Sequence, residues 1–216
     1  MQLQAILLPP PEVIDGVLTA AKSVAIARPA DEEAAGKGVG RLFKKGSRLP
    51  PLPPLEIVPI ATPSVKVVRF GNVTNDDAER LGEALAKAAG EWRALNLHVV
   101  GIRVEQTSTQ FLLTAELGGD TDLAWSLFRS VNDVARTQRF FLDRRSFQPA
   151  FAFASMTIGG EPNPTQLATV PEFALGDAES YTGPRWHATY LDLVSVPFAP
   201  NAPLEAVSEI PLVTDD

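Results

Sequence analysis

The sequence predicts an α+β fold built as two pseudo-duplicated lobes, each an antiparallel sheet with flanking helices. Three observations point there. Hydrophobic residues make up 45% and charged residues 21% of the 216 positions, an ordinary globular balance. Strand-like runs outnumber helical ones and follow one another too closely for helical crossovers, which favours antiparallel pairing. A strand, a glycine turn, a threonine cap and an amphipathic helix occur twice, with Gly71 and Gly118, and likewise Thr74 and Thr121, both 47 positions apart.

Taken in order, residues 3–8 read as a short buried strand ended by Pro9, Pro10 and Pro11, which suit a first helical turn. Val13, Val17, Ala20 and Ala21 mark one face of a helix reaching about Ala27. Residues 34–54 combine four glycines, five basic residues and a proline-rich run, and read as one exposed loop. Residues 64–70 form a β-rich run that Gly71-Asn72-Val73 turns into a helix. Thr74 is placed as N-cap with Asp77 three residues on, and Leu81, Leu85 and Ala88 supply the core stripe. Strands follow at about 97–105 and 110–117. Gly118-Gly119-Asp120-Thr121-Asp122 then opens a helix with Leu123, Leu127, Val131 and Val134 on one face. A strand at 150–158, a Pro/Gly-rich connection, a strand at 186–196 and a short strand near 210–213 complete a single two-lobed domain spanning residues 1–216.

Bulk properties bound the function. A net charge of −7 argues against a surface devoted to nucleic acid, so any phosphate contact must be local. The absence of cysteine excludes disulfides, thiolate zinc sites and a cysteine nucleophile. The start of the chain has no basic segment before its apolar run, and no stretch approaches the length of a membrane span; a cytoplasmic protein with no membrane association is expected. Asp and Glu are scattered through caps and loops without metal-site spacing, so neither metal nor cofactor is expected.

Four motifs then carry a resemblance. They are Ile6-Leu7-Leu8-Pro9-Pro10-Pro11; Val65-Lys66-Val67-Val68-Arg69-Phe70-Gly71 with Asp76-Asp77 behind it; Asp143-Arg144-Arg145-Ser146-Phe147-Gln148-Pro149 leading into Ala150-Phe151-Ala152-Phe153; and a last strand from Trp186 to Val196. In this order they resemble the 2H phosphoesterases, the 2′-5′ RNA ligase-like proteins, over nearly the whole chain. The resemblance implies two lobes around a central cleft and two facing His-x-Thr motifs. One histidine deprotonates the attacking hydroxyl, the other protonates the leaving oxygen, the threonines hold the phosphate, and no metal takes part.

Carried over position by position, the histidines fall on Val65 and Ala150 and the threonines on Val67 and Ala152. None of these side chains can exchange a proton or donate a hydrogen bond. Losing one positioned acid or base costs roughly 10²–10⁴ in rate, so replacing all four looks like abandonment of the mechanism. With period-two alternation, Ala150, Ala152 and Ala154 share one smooth face, either a ligand surface or close-packed core, and Phe151 and Phe153 the other.

Rival signals remain. His187-Ala188-Thr189 spells His-x-Thr, but on the final strand; a relocated active site using His187 and Thr189 is the enzymatic alternative. His98 reads as a strand histidine hydrogen-bonded to backbone. Arg136, Arg139, Arg144 and Arg145, interleaved with Phe140 and Phe141, either hold phosphates or complement a helix C-terminus. Arg69 shares the face of Val65 and Val67 in strict alternation and so stands as a cleft cation. The first expectation is a non-catalytic cleft that binds a nucleotide or RNA end through Arg69, Arg144 or Arg145. The alternatives are a cyclic phosphodiesterase using His187 and an interaction protein recruiting a protein partner through the 34–54 loop.

Overall fold

The computed structural model describes residues 1–27, 54–108, 110–140, 147–158, 172–197 and 204–214. The 34–54 loop thus lies almost wholly outside the described residues, as do Phe141, Arg144, Arg145 and residues 159–171 of the Pro/Gly-rich connection.

Strand β1 (Gln2–Leu7) leads into helix α1 (Pro11–Ala20), a 3₁₀ turn (Ala21–Ser23) and the two-residue β2 (Ala25–Ile26). The helix stops short of the expected Ala27. Ser23 Oγ lies 2.9 Å from both the Ala20 and Leu175 carbonyl oxygens, giving the backbone an alternative to another helical turn. After β3 (Leu55–Pro59), β4 (Val65–Asn72) runs through the expected glycine turn, with Gly71 at φ +73°. Helix α2 (Asn75–Ala88) starts as read: Thr74 caps it, its hydroxyl oxygen accepting from the Asp77 N–H at 3.1 Å. Long strands β5 (Leu95–Gln106) and β6 (Phe111–Gly119) follow, then α3 (Thr121–Thr137) and β7 (Ala150–Ile158).

At α3 the duplication breaks down in detail. Asp120, not Thr121, holds the cap position; its carboxylate accepts from the Asn96 backbone N–H at 2.9 Å rather than capping the helix. The buried stripe is Ala124, Leu127, Val131 and Ala135, and Leu123 is exposed.

The expected strand 186–196 divides at Thr189. Strands β8 (Phe173–Ala174), β9 (Trp186–Ala188), β10 (Tyr190–Val196) and β11 (Glu205–Pro211) complete the chain. β9 joins the five-stranded sheet β3-β7-β6-β5-β9, whereas β10 joins the four-stranded sheet β11-β10-β1-β4; β2 pairs with β8. One continuous segment therefore crosses from lobe to lobe. Among the described residues all paired strands are antiparallel, as expected, with an isolated parallel bridge between Arg93 and Val213.

Apolar residues from both sheets join the apolar stripes of α1, α2 and α3 in one continuous core. Among the described residues β4 is an edge strand, β3 covers β7 only over residues 154–158, and β4 and β7 lie against each other. The two strands that carry the expected motif positions thus form the seam between the sheets.

Candidate functional site

Cross-strand partners in a sheet share a face, so the registers assign each side chain to a covered or an open side. In the four-stranded sheet, Leu7 pairs with Val65, Ala5 with Val68 and Leu193, and Leu3 with Ser195; all are buried. The opposite face carries Ile6 paired with Lys66 and Asp192, and Gln4 paired with Arg69 and Val194. On this face Lys66 is exposed and Arg69 half-buried, while Ile6 and Val194 are buried.

This placement corrects one expectation. A bulge leaves Val67 without a partner in β1 and shifts the alternation, so Arg69 shares the face of Lys66 rather than that of Val65. Val65 and Val67 are 1% and 3% exposed and belong to the core. Asp192, in the Lys66 row, pairs with Glu209 on its other side. Burial pushes its carboxyl above the ordinary value, and the Glu209 carboxylate pushes it further.

The five-stranded sheet repeats the division. Leu97, Val99, Ile102, Leu113, Ala115, Leu117, Phe151, Ala154 and Met156 are buried. The other face is built from three rows: Gly101–Glu116–Ala150, Arg103–Thr114–Ala152 and Glu105–Leu112–Ser155. Ala150 and Ala152 are half-buried on it. Ala154 is not with them. A bulge at Phe153 moves it to the covered side, so the smooth face is two alanines long, not three.

Beside those alanines stands a polar cluster. Arg103 Nη2 donates to Glu105 Oε1 and, at 3.2 Å, to Gln148 Oε1, while Nη1 lies 3.1 Å from Glu116 Oε1. Thr114 is 3% exposed, and among the described residues neither its Oγ1 nor Arg103 Nε has a hydrogen-bond partner. Sequence reasoning missed Lys66, Arg103, Glu105, Thr114 and Glu116. The signal was present: Arg103-x-Glu105 and Thr114-x-Glu116 place polar residues at period two inside otherwise apolar strands.

The two histidines stand differently toward this seam: His98, paired with Gly118, shares the face of Gly101, Glu116 and Ala150, whereas His187 lies far along the sheet. His187 is exposed and pairs with Asn96, five positions along β5 from Gly101 and three strands across from β7. At about 3.3 Å per residue and about 4.8 Å per strand, it is on the order of 20 Å from Ala150. His98 lies over Gly118, where an added Cβ would be 3.3 Å from its Nε2; among the described residues it has no backbone hydrogen bond of the kind expected.

Arg136 and Arg139 behave as helix-end residues. Arg136 forms an exposed 3.7 Å pair with Asp133. Arg139, at φ 61°, occupies the left-handed position of a Schellman cap: its N–H donates to the Arg136 carbonyl at 2.9 Å and the Phe140 N–H to the Ala135 carbonyl at 3.0 Å.

A groove beside α1 is lined by Asp15, Gly16, Thr19, Ala20, Asp177 and Tyr181, a set without a basic side chain. Among the described residues no group of three or more His, Asp or Glu side chains could hold a metal ion, and no helix is long and apolar enough to cross a membrane.

By sequence, neither a protein-family model nor a curated protein matches the chain. Solved structures do match in fold. E. coli LigT complexed with NADP⁺ superposes with a TM-score of 0.54 at 15% identity, covering 98% of this chain and 97% of that one. TT0787 of Thermus thermophilus gives 0.53 at 12% identity over 98% of both chains. E. coli LigT complexed with ATP gives 0.51 at 14% identity, covering 98% and 97%. The α+β architecture is that of the LigT-like 2H phosphoesterases, and at these identities the likeness is one of fold.

Proposed function

We propose that this chain is a non-catalytic relative of the 2H phosphoesterases that binds a nucleotide or an RNA end along the β4–β7 seam. The observation that carries the reading is the chemistry of the seam itself. Ala150 and Ala152 stand where the pair that would exchange protons and hold phosphate is expected, Val65 and Val67 are core, and His187 is remote. LigT, of the same fold, has been seen with NADP⁺ and ATP, which supports a nucleotide as ligand. Lys66 and Arg69, which share a face of β4, are the phosphate-binding candidates, joined in sequence by Arg144 and Arg145.

The test is calorimetric titration of ATP and of a short RNA at low and high salt. Binding is expected at low salt and weakens as salt rises. Lys66→Ala or Arg69→Ala lowers affinity by roughly 5–30-fold, the loss of one charge-assisted contact of about 1–2 kcal/mol. No binding of either ligand at low salt contradicts the reading. Turnover through His187 is the second reading. It has against it the distance on the order of 20 Å between that ring and the seam.

A further inference from the structure

We infer that the row Arg103–Thr114–Ala152, with Glu105 and Glu116 on either side, is a subsite for the uncharged nucleoside part of the ligand and not for its phosphate. The inference rests on the proposed binding reading and divides the ligand between the two sheets.

Charge decides the class of ligand. Arg103 is already met by Glu105, Glu116 and the Gln148 side-chain carbonyl. One guanidinium against two carboxylates leaves the cluster one unit negative, so a phosphate placed there would face repulsion that the committed Arg103 does not offset. A neutral group meets no such barrier.

Hydrogen bonding decides the contacts. Thr114 is almost fully buried, and its hydroxyl is unpartnered among the described residues; Arg103 Nε–H is a second buried donor without an acceptor there. Buried polar atoms are nearly always paired in folded proteins, so two orphans in adjoining side chains mark a place where a partner is missing. The hydroxyl both donates and accepts, Nε–H donates, and the outer carboxylate oxygens accept. Sugar hydroxyls and the amide or amino edges of a base offer the complementary mixture, whereas a phosphate ester offers mainly acceptors. Ala150 and Ala152, both half-buried, flank the row with small side chains.

The experiment titrates adenosine, 3′-AMP and inorganic phosphate into the wild-type protein and into Thr114→Val, Thr114→Ser, Glu116→Gln and Lys66→Ala. Wild type is expected to bind adenosine within about tenfold of 3′-AMP, and phosphate alone far more weakly. Thr114→Val weakens adenosine and 3′-AMP equally, by roughly 3–10-fold, and Thr114→Ser retains most of the affinity. Lys66→Ala weakens 3′-AMP but leaves adenosine unchanged. Because Thr114→Val removes an unsatisfied buried hydroxyl at constant shape, the ligand-free variant should melt no lower than wild type, which separates lost contact from lost fold. Glu116→Gln relieves the repulsion and strengthens phosphate binding at this row. If 3′-AMP binds but is indifferent to Thr114→Val and Glu116→Gln, the subsite is wrong and the broader reading stands. If neither adenosine nor 3′-AMP binds, both fall.

Discussion

Asp192 is the residue where the open face of the four-stranded sheet works against folding. It is half-buried between Ile6 and Glu209, and its carboxyl is raised by lost hydration first and by Glu209 second. Between the unfolded value near 3.8 and the higher folded value, the native state holds more protons than the unfolded chain. Stability therefore falls as pH rises through that window. Asp192→Asn should remove this component, giving a flatter melting temperature from acid to neutral pH and a higher one at pH 7. A variant that melts lower at pH 7 with an unchanged pH profile would show that the ionised carboxylate has a compensating partner. At this scale the sequence was only partly readable. The expectation that the proton-exchanging pair is missing rests on side-chain identity at Val65 and Ala150, the positions that the resemblance assigns. The meeting of Arg103 with Glu116 is not legible in the same way, because the two lie on neighbouring strands and pair only once the register is set.

Among the elements, α3 illustrates how a local rule can be bent without breaking the fold. Its Schellman cap asks for a residue with positive φ, normally glycine, and Arg139 fills the place at φ 61°. The cap lets Phe140 fold back to meet Phe70 edge-on at 6.2 Å, with the Arg80 guanidinium 5.8 Å from its ring centre. Arg139→Gly relieves the left-handed strain and should stabilise the protein by about 0.5–1 kcal/mol in urea unfolding. Equal or lower stability would mean that the arginine side chain makes contacts outweighing its backbone cost. Element positions were legible because strand and helix periods are written in consecutive residues: β1, β4, β5, β6 and β7 all fall within a few positions of their expected ranges. Bulges were not. Those at Val67 and Phe153 arise from how one strand meets another, and each moves a side chain of interest, Arg69 and Ala154, to the opposite face.

The molecule as a whole joins two sheets through a single core and through a chain segment that changes sheet at Thr189. The antiparallel α+β class was readable from strand spacing, but the crossing was not read. Its trace is the spacing of apolar residues, Trp186, Ala188, then Leu191 and Leu193, which skips one place at the changeover. The seam between sheets carries the motif positions that the resemblance assigns. Here it presents Lys66 and Arg69 on one side and Ala150, Ala152, Thr114 and the Arg103 cluster on the other. The proposed reading assigns that surface to binding without turnover. The direct test is hydrolysis of 2′,3′-cyclic nucleotides and cyclic-phosphate-ended RNA by the purified protein, with His187→Ala measured beside it. No turnover by either protein is expected, while nucleotide binding persists in both. Turnover by wild type that disappears in His187→Ala would contradict the proposed reading and establish an active enzyme centred on the far strand.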